Sequence, residues 1–158
     1  MSQRMASLSL ILGLALTVAA CNTVGSGPAG TTAGEKSLYD RLGGKTAITA
    51  VVDDFVGRVA ADTRINGKFA NANIPRLKSM LVDQICQASG GPCTYTGRDM
   101  KSTHAGMGVS SGDFDALVGD LVATLNKFKV PEREKKGLRG ALGPRRGDIV
   151  EKPMASMQ

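Results

Sequence analysis

The chain is poor in the residues from which many functional sites are built. It has one histidine, three cysteines and no tryptophan, and only 4% of its residues are aromatic. One histidine excludes the multi-histidine metal sites, and no second cysteine pair is available to complete a zinc site. The few aromatic rings are not interleaved with basic residues, as a single-strand nucleic-acid binder would require. No flavin or nicotinamide motif occurs, and neither strand-like alternation nor an internal repeat is present. The net charge is +6, and its positive residues gather late, at Arg133, Lys135, Lys136, Arg139, Arg145 and Arg146. That cluster reads as a solvated helix face, although it also suits an anionic lipid surface.

What is there begins with a leader. Arg4 precedes an apolar run from Leu8 to Val18, followed by Ala19, Ala20 and Cys21. Residues 1–20 read as a secretory signal peptide, too short and wrongly flanked for a spanning helix. Leu16-Thr17-Val18-Ala19-Ala20-Cys21 resembles a bacterial lipobox, in which Cys21 becomes the lipidated first residue. Residues 21–36 are then a lipid-anchored tether, rich in glycine and threonine and without apolar period. The expected location is the cell envelope, anchored to a membrane through lipid and facing the periplasm. Asn22 is not the aspartate associated with inner-membrane retention, which favours the outer membrane. Export argues against nucleic acid as a partner. It also places Cys86 and Cys93 in an oxidising compartment. They flank the turn Ala88-Ser89-Gly90-Gly91-Pro92 and are candidates for a small disulfide loop, whose geometry the spacing alone does not fix.

From residue 37 the pattern is helical. A short piece, Ser37–Leu42, is stopped by Gly43-Gly44. Ile48, Val51, Val52, Phe55, Val56 and Val59 then recur at helical spacing, ending near Ala61-Asp62. A turn-rich link carries Phe69, its only large apolar ring. A third helix starts near Ile74 with Pro75 in its first turn, shows Leu77, Met80, Leu81 and Ile85, and stops by Gly90-Gly91-Pro92. Residues 92–103 form a loop with one helical turn before His104. Ser110 and Asp113 resemble a capping box ahead of a periodic helix carrying Phe114, Leu117, Val118, Leu121, Val122, Leu125 and Phe128. Val130-Pro131 breaks it, and a last helix is disturbed by Gly143-Pro144. The class is all-α: one domain over 37–150, with 151–158 as a disordered tail.

His104 is the candidate metal ligand. A lone histidine is usually an ordinary one, but this one follows two helical patterns, the isolated Phe69 and two glycine pairs. The pieces Ser37-Leu38-Tyr39-Asp40-Arg41-Leu42-Gly43-Gly44, Asp54-Phe55, Phe69, Arg76-Leu77-Lys78, Gly90-Gly91-Pro92, Tyr95-Thr96-Gly97, Met100-Lys101 and His104 with Gly106 and Gly108 resemble the group I truncated haemoglobins. The resemblance runs from about Ser37 to Pro131. It implies a two-over-two helical globin fold and haem b, iron protoporphyrin IX, as cofactor. It implies His104 as proximal iron ligand and Phe69 as the ring against the haem face. Met100, Thr103, Met107, Val109, Phe114, Leu117 and Val118 would line the pocket, with plain core packing as the alternative. Arg76, Lys78 and Lys101 are candidates for the haem propionates or for simple solvated roles.

The chain departs from the family on the distal side. Val56 stands where many members carry tyrosine, Leu81 where they often carry glutamine, and Leu77 at the usual distal-histidine position. Gln84, one turn after Leu81, is the nearest polar candidate. The leading functional expectation is reversible binding of a diatomic gas, whether oxygen, carbon monoxide or nitric oxide. A haem redox enzyme, such as a nitric-oxide dioxygenase or peroxidase, is the alternative and would need an external reductase. A haem-free structural lipoprotein is the third.

Overall fold

The computed structural model describes residues 35–151, and these fold as helices joined by short turns. The leader, Cys21, most of the tether and residues 152–158 lie outside the described residues. The seven α-helices are α1 (Leu38–Arg41), α2 (Gly44–Ala61), α3 (Ile74–Ala88), α4 (Met100–His104), α5 (Ser111–Lys127), α6 (Glu132–Leu142) and α7 (Arg146–Ile149). Single 3₁₀ turns at Asn66–Phe69 and Gly143–Arg145 join α2 to α3 and α6 to α7.

Each boundary has a local cause. Ser37 caps α1 by accepting the Asp40 N–H at 3.1 Å. Gly43 follows with φ of 95°, a left-handed conformation, and a Cβ there would lie 2.9 Å from that of Ala47. The turn lets Tyr39 fold back, so that its hydroxyl accepts the Lys45 N–H at 3.0 Å. Asn73 caps α3, and the reciprocal Ser110–Asp113 capping box opens α5 as its spacing suggests.

α2 is the centre of the core. Its buried residues are Ile48, Val51, Val52, Phe55, Val56 and Val59, the set that its helical period marks out. α3 and α5 both pack on α2, and α6 packs on α3 and α1. Val82, Ile85, Cys86, Ala116, Leu125 and Leu138 complete the core. An ion pair fastens α1 to α6: the Arg41 Nε–H donates to Glu134 at 3.0 Å, with Glu134 nearly fully buried. Burial of Glu134 makes removing Arg41 costly, since the carboxylate would then lack its partner.

Two elements differ from the expected pattern. α3 turns Val82, Ile85 and Cys86 into the core, while Leu77, Met80 and Leu81 are only half-buried. Its apolar surface is wider than one stripe, and α2 takes the other side of it. Phe128 continues the period of α5 but is 40% exposed, because it caps the helix where Lys129 turns the chain with φ of 54°.

Candidate functional site

His104 is the last residue of α4, a helix of five residues. So short a helix does not hold itself, and its ends are fixed from outside. At its start Asp99 accepts the Ser102 N–H at 2.8 Å, a bond that lowers the Asp99 carboxyl from its ordinary range. Met100 is buried, and its thioether accepts the Gln84 amide at 3.3 Å, a weak bond linking α3 to α4.

The His104 ring is oriented by its own helix. Nδ1 lies 2.7 Å from the Met100 carbonyl oxygen. A carbonyl only accepts, so Nδ1 carries the proton and Nε2 keeps the free lone pair. A carbonyl partner on the rear nitrogen also fixes the ring orientation of metal-ligating histidines. His104 borders a cleft of about 400 Å³ that is partly open to solvent. Its other walls are Ile65, Lys68, Phe69, Met107, Val109, Asp113, Phe114, Leu117 and Ile149. Arg146 lies over the Phe114 ring, 4.9 Å from its centroid, and donates to Asp115 at 2.6 Å.

Of the residues singled out from the sequence, His104, Phe69, Met107, Val109, Phe114 and Leu117 meet at this cleft. The others stand elsewhere. Val56 is buried in α2, and Val118 is half-buried on α5. The Thr103 hydroxyl bonds back to the Asp99 carbonyl at 2.7 Å, within its own helix. Leu77, Leu81 and Gln84 fall on one side of α3 by helical spacing, and the Gln84 bond to Met100 turns that side toward α4. Arg76 and Lys101 are exposed, and Lys78 pairs with Asp53 at 2.9 Å across the α2–α3 surface. Both partners of that pair are substantially exposed, so it is worth little.

Four lining residues escaped the sequence reading. Ile65 sits one helical turn before Phe69 and could have been found from that spacing. Lys68, beside Phe69, donates to the carbonyls of Met107 at 2.9 Å and Gly108 at 3.1 Å. Asp113 belongs to a capping box and is held low chiefly by the Ser110 N–H. Ile149 follows a glycine-proline break, where no period survives to mark it.

Cys86 and Cys93 are joined as a disulfide with Cα atoms 5.7 Å apart. The bridge ties the end of α3 to the loop that leads to α4. Gly91 permits the crossing, since a Cβ there would lie 2.5 Å from the Tyr39 ring and 2.7 Å from the Cys86 sulfur.

The donor set fits haem rather than a bare ion. Among the described residues, no group of three or more histidine, cysteine or acidic side chains is arranged to hold a metal. One oriented imidazole beside an otherwise largely apolar cleft suits a metal whose remaining ligands come with a flat apolar cofactor.

Comparison with known proteins agrees. Residues 37–150 match the family model described as bacterial-like globin. A group 1 truncated hemoglobin of Mycolicibacterium paratuberculosis is 38% identical over 114 residues, covering 72% of this chain and 84% of that protein. One of Synechocystis is 37% identical over 100 residues, covering 61% and 81%. The crystal structure of truncated hemoglobin from Tetrahymena pyriformis in its Fe(III) form superposes with a TM-score of 0.71 at 30% identity, covering 74% of this chain and all of that one. The 2/2 hemoglobin of Synechococcus, with covalently attached heme, gives 0.69 at 31% identity over the same shares.

Proposed function

Because this chain belongs to the bacterial-like globins, and within them to the group 1 truncated haemoglobins, we propose that it binds haem b through His104 and takes up a diatomic gas at the cell envelope. The carrying observation is the His104 ring, with Nδ1 committed to the Met100 carbonyl and the ring set on an apolar cleft. When bound, the iron porphyrin supplies one coordination position for oxygen, carbon monoxide or nitric oxide. The protein's part is to hold the imidazole, to wall off water and to decide what surrounds the ligand. Phe69, Val109, Phe114, Leu117 and Ile149 supply the apolar wall. Lys68 stands at the same wall with its ammonium group already held by backbone carbonyls.

On the other side the supporting facts are negative in polarity. Val56, Leu77 and Leu81 carry no donor, and the Gln84 amide faces Met100. Oxygen bound to iron carries partial negative charge and gains from a donor, whereas carbon monoxide gains much less. We therefore infer fast oxygen release and a strong preference for carbon monoxide. The sequence Leu16–Cys21 supports lipidation at Cys21 and a periplasm-facing domain on a tether.

Absorption spectra of the ferric, ferrous and carbon monoxide-bound protein test the reading. His104→Gly is expected to abolish stable haem binding unless imidazole is added back. An unchanged five-coordinate ferrous spectrum in that variant overturns the ligand assignment.

A further inference from the structure

α4 ends at His104, and the chain then runs through a loop, residues 105–109, before α5 begins. Locally, the Ala105 N–H donates to the Lys101 carbonyl at 3.0 Å and the Met107 N–H to the His104 carbonyl at 3.1 Å. The rest comes from residues distant in sequence. The Glu151 carboxylate accepts the Gly106 N–H at 2.5 Å and the Gly108 N–H at 2.6 Å. The N–H of Glu151 itself donates to the Val109 carbonyl at 2.8 Å. From the other side, Lys68 takes the carbonyls of Met107 and Gly108.

We propose that Glu151 and Lys68 are positioning residues for His104, clamping the loop that follows it through its N–H groups and its carbonyls respectively. The proposal rests on haem ligation by His104. Gly106 and Gly108 have φ of 78° and 60°, left-handed values that L side chains rarely adopt. Those angles turn alternate N–H groups toward one point, the arrangement by which backbone nests hold anions. Here the anion is supplied by the chain's own Glu151. Bonds to a charged partner are roughly twice as strong as neutral ones, and both partners of the clamp are charged.

The clamp also joins the walls of the cleft. Lys68 lies in the same 3₁₀ turn as Phe69, and Glu151 stands two residues beyond Ile149. Phe69 therefore reaches the His104 loop through its immediate neighbour, and Ile149 through a residue two positions on. Lys68 remains near charge balance, with Asp113 at 3.8 Å. The arrangement explains why residue 151, expected to open a free tail, is instead tied to the domain by three hydrogen bonds.

The test compares the full chain with Glu151→Ala, Glu151→Gln and Lys68→Met. Amide exchange by NMR should quicken at Gly106 and Gly108 by about tenfold in Glu151→Ala, equivalent to about 1.4 kcal/mol, with Glu151→Gln between. Amides of Val52 and Phe55 in α2 should be unchanged. Haem transfer to an excess of a haem-scavenging apoglobin should quicken by about tenfold in Glu151→Ala and Lys68→Met. The iron–histidine stretching band of the ferrous protein should shift or broaden. Equal quickening at all amides, or unchanged haem loss with an unchanged stretching band, overturns the proposal. A wild-type chain that shows no haem band would instead refute the functional reading. Exchange at Gly106 and Gly108 would then still decide the clamp, and no response to Glu151→Ala would overturn it.

Discussion

Reduction of the Cys86–Cys93 bridge should lower stability by an amount set by a short loop. The two cysteines are seven apart in sequence. For a closed loop of about 8 residues, chain-entropy closure gives about 2.5 kcal/mol at 25 °C. In a domain of this size that amounts to about 10 °C in melting temperature. The loss should be local in character. Cys86 is fully buried, and the end of α3 keeps two bonds that do not depend on the bridge. The Ser89 hydroxyl still donates to the Ile85 carbonyl at 2.6 Å, and the Tyr39 N–H to the Ser89 carbonyl at 2.8 Å. What gains freedom is the segment leading to Asp99 and α4. Thermal unfolding of protein purified without reductant, compared with the same protein after reduction, measures the effect. Thiol counting under denaturing conditions confirms the redox state, and the Cys86→Ser, Cys93→Ser double variant controls for the reductant. A melting temperature unmoved in fully reduced protein would refute the reasoning. Free thiols at both Cys86 and Cys93 in protein purified without reductant would refute the pairing.

On the distal side, Val56→Tyr should slow oxygen release by about 10-fold or more, as a hydrogen bond of roughly 1.5–3 kcal/mol allows, and change carbon monoxide release little. Stopped-flow release rates check it, and unchanged oxygen release in a folded variant counts against the apolar pocket. If wild-type release is already slow and Gln84→Leu quickens it, Gln84 is the distal donor after all. Asp120→Asn should raise the melting temperature at pH 7. The Asp120 carboxyl is raised above its ordinary value by burial and then by Asp62, and its Oδ2 has no partner. A raised folded value means that charge on Asp120 disfavours the fold above that pH. The gain should therefore fade as pH falls toward 3.8, and a gain that persists there would refute the assignment. Asp62 itself is held down at about 2, chiefly by its bond to Arg64, so its support persists above 3.8 and is lost as pH falls toward 2.

The helices and their ends were legible because their causes are local. The α2 face, the Ser110 capping box and the glycine stops each declare themselves within a few residues. The site was legible in half. His104, Phe69 and the α5 residues Phe114 and Leu117 could be placed by likeness to a known family. Lys68 and Glu151 could not, because their partners are backbone groups of a distant loop, and backbone partners leave no pattern in side-chain spacing. The burial of α3 was misjudged for a related reason. Leu77, Leu81, Val82 and Ile85 are all apolar, so periodicity cannot say which of two adjoining stripes α2 will cover.

That wide apolar surface bears on what a haem would meet along α3. A helix whose every apolar residue was sealed in the core would offer a cofactor nothing to pack on. α3 instead commits Val82, Ile85 and Cys86 to the core and leaves Leu77 and Leu81 half-buried on the side where Gln84 reaches α4. Half-buried leucines leave part of their apolar surface in water, and covering such surface stabilises by about 25 cal/mol per Å². Covering the same leucines with a porphyrin face would recover that energy. It would also place them near the ligand, where a polar group would need a partner of its own when dry. On the proposed reading, the leucines that would favour haem are the same ones that would withhold a hydrogen bond from bound oxygen. Affinity for the cofactor and a weak hold on oxygen would then follow from one choice of side chains.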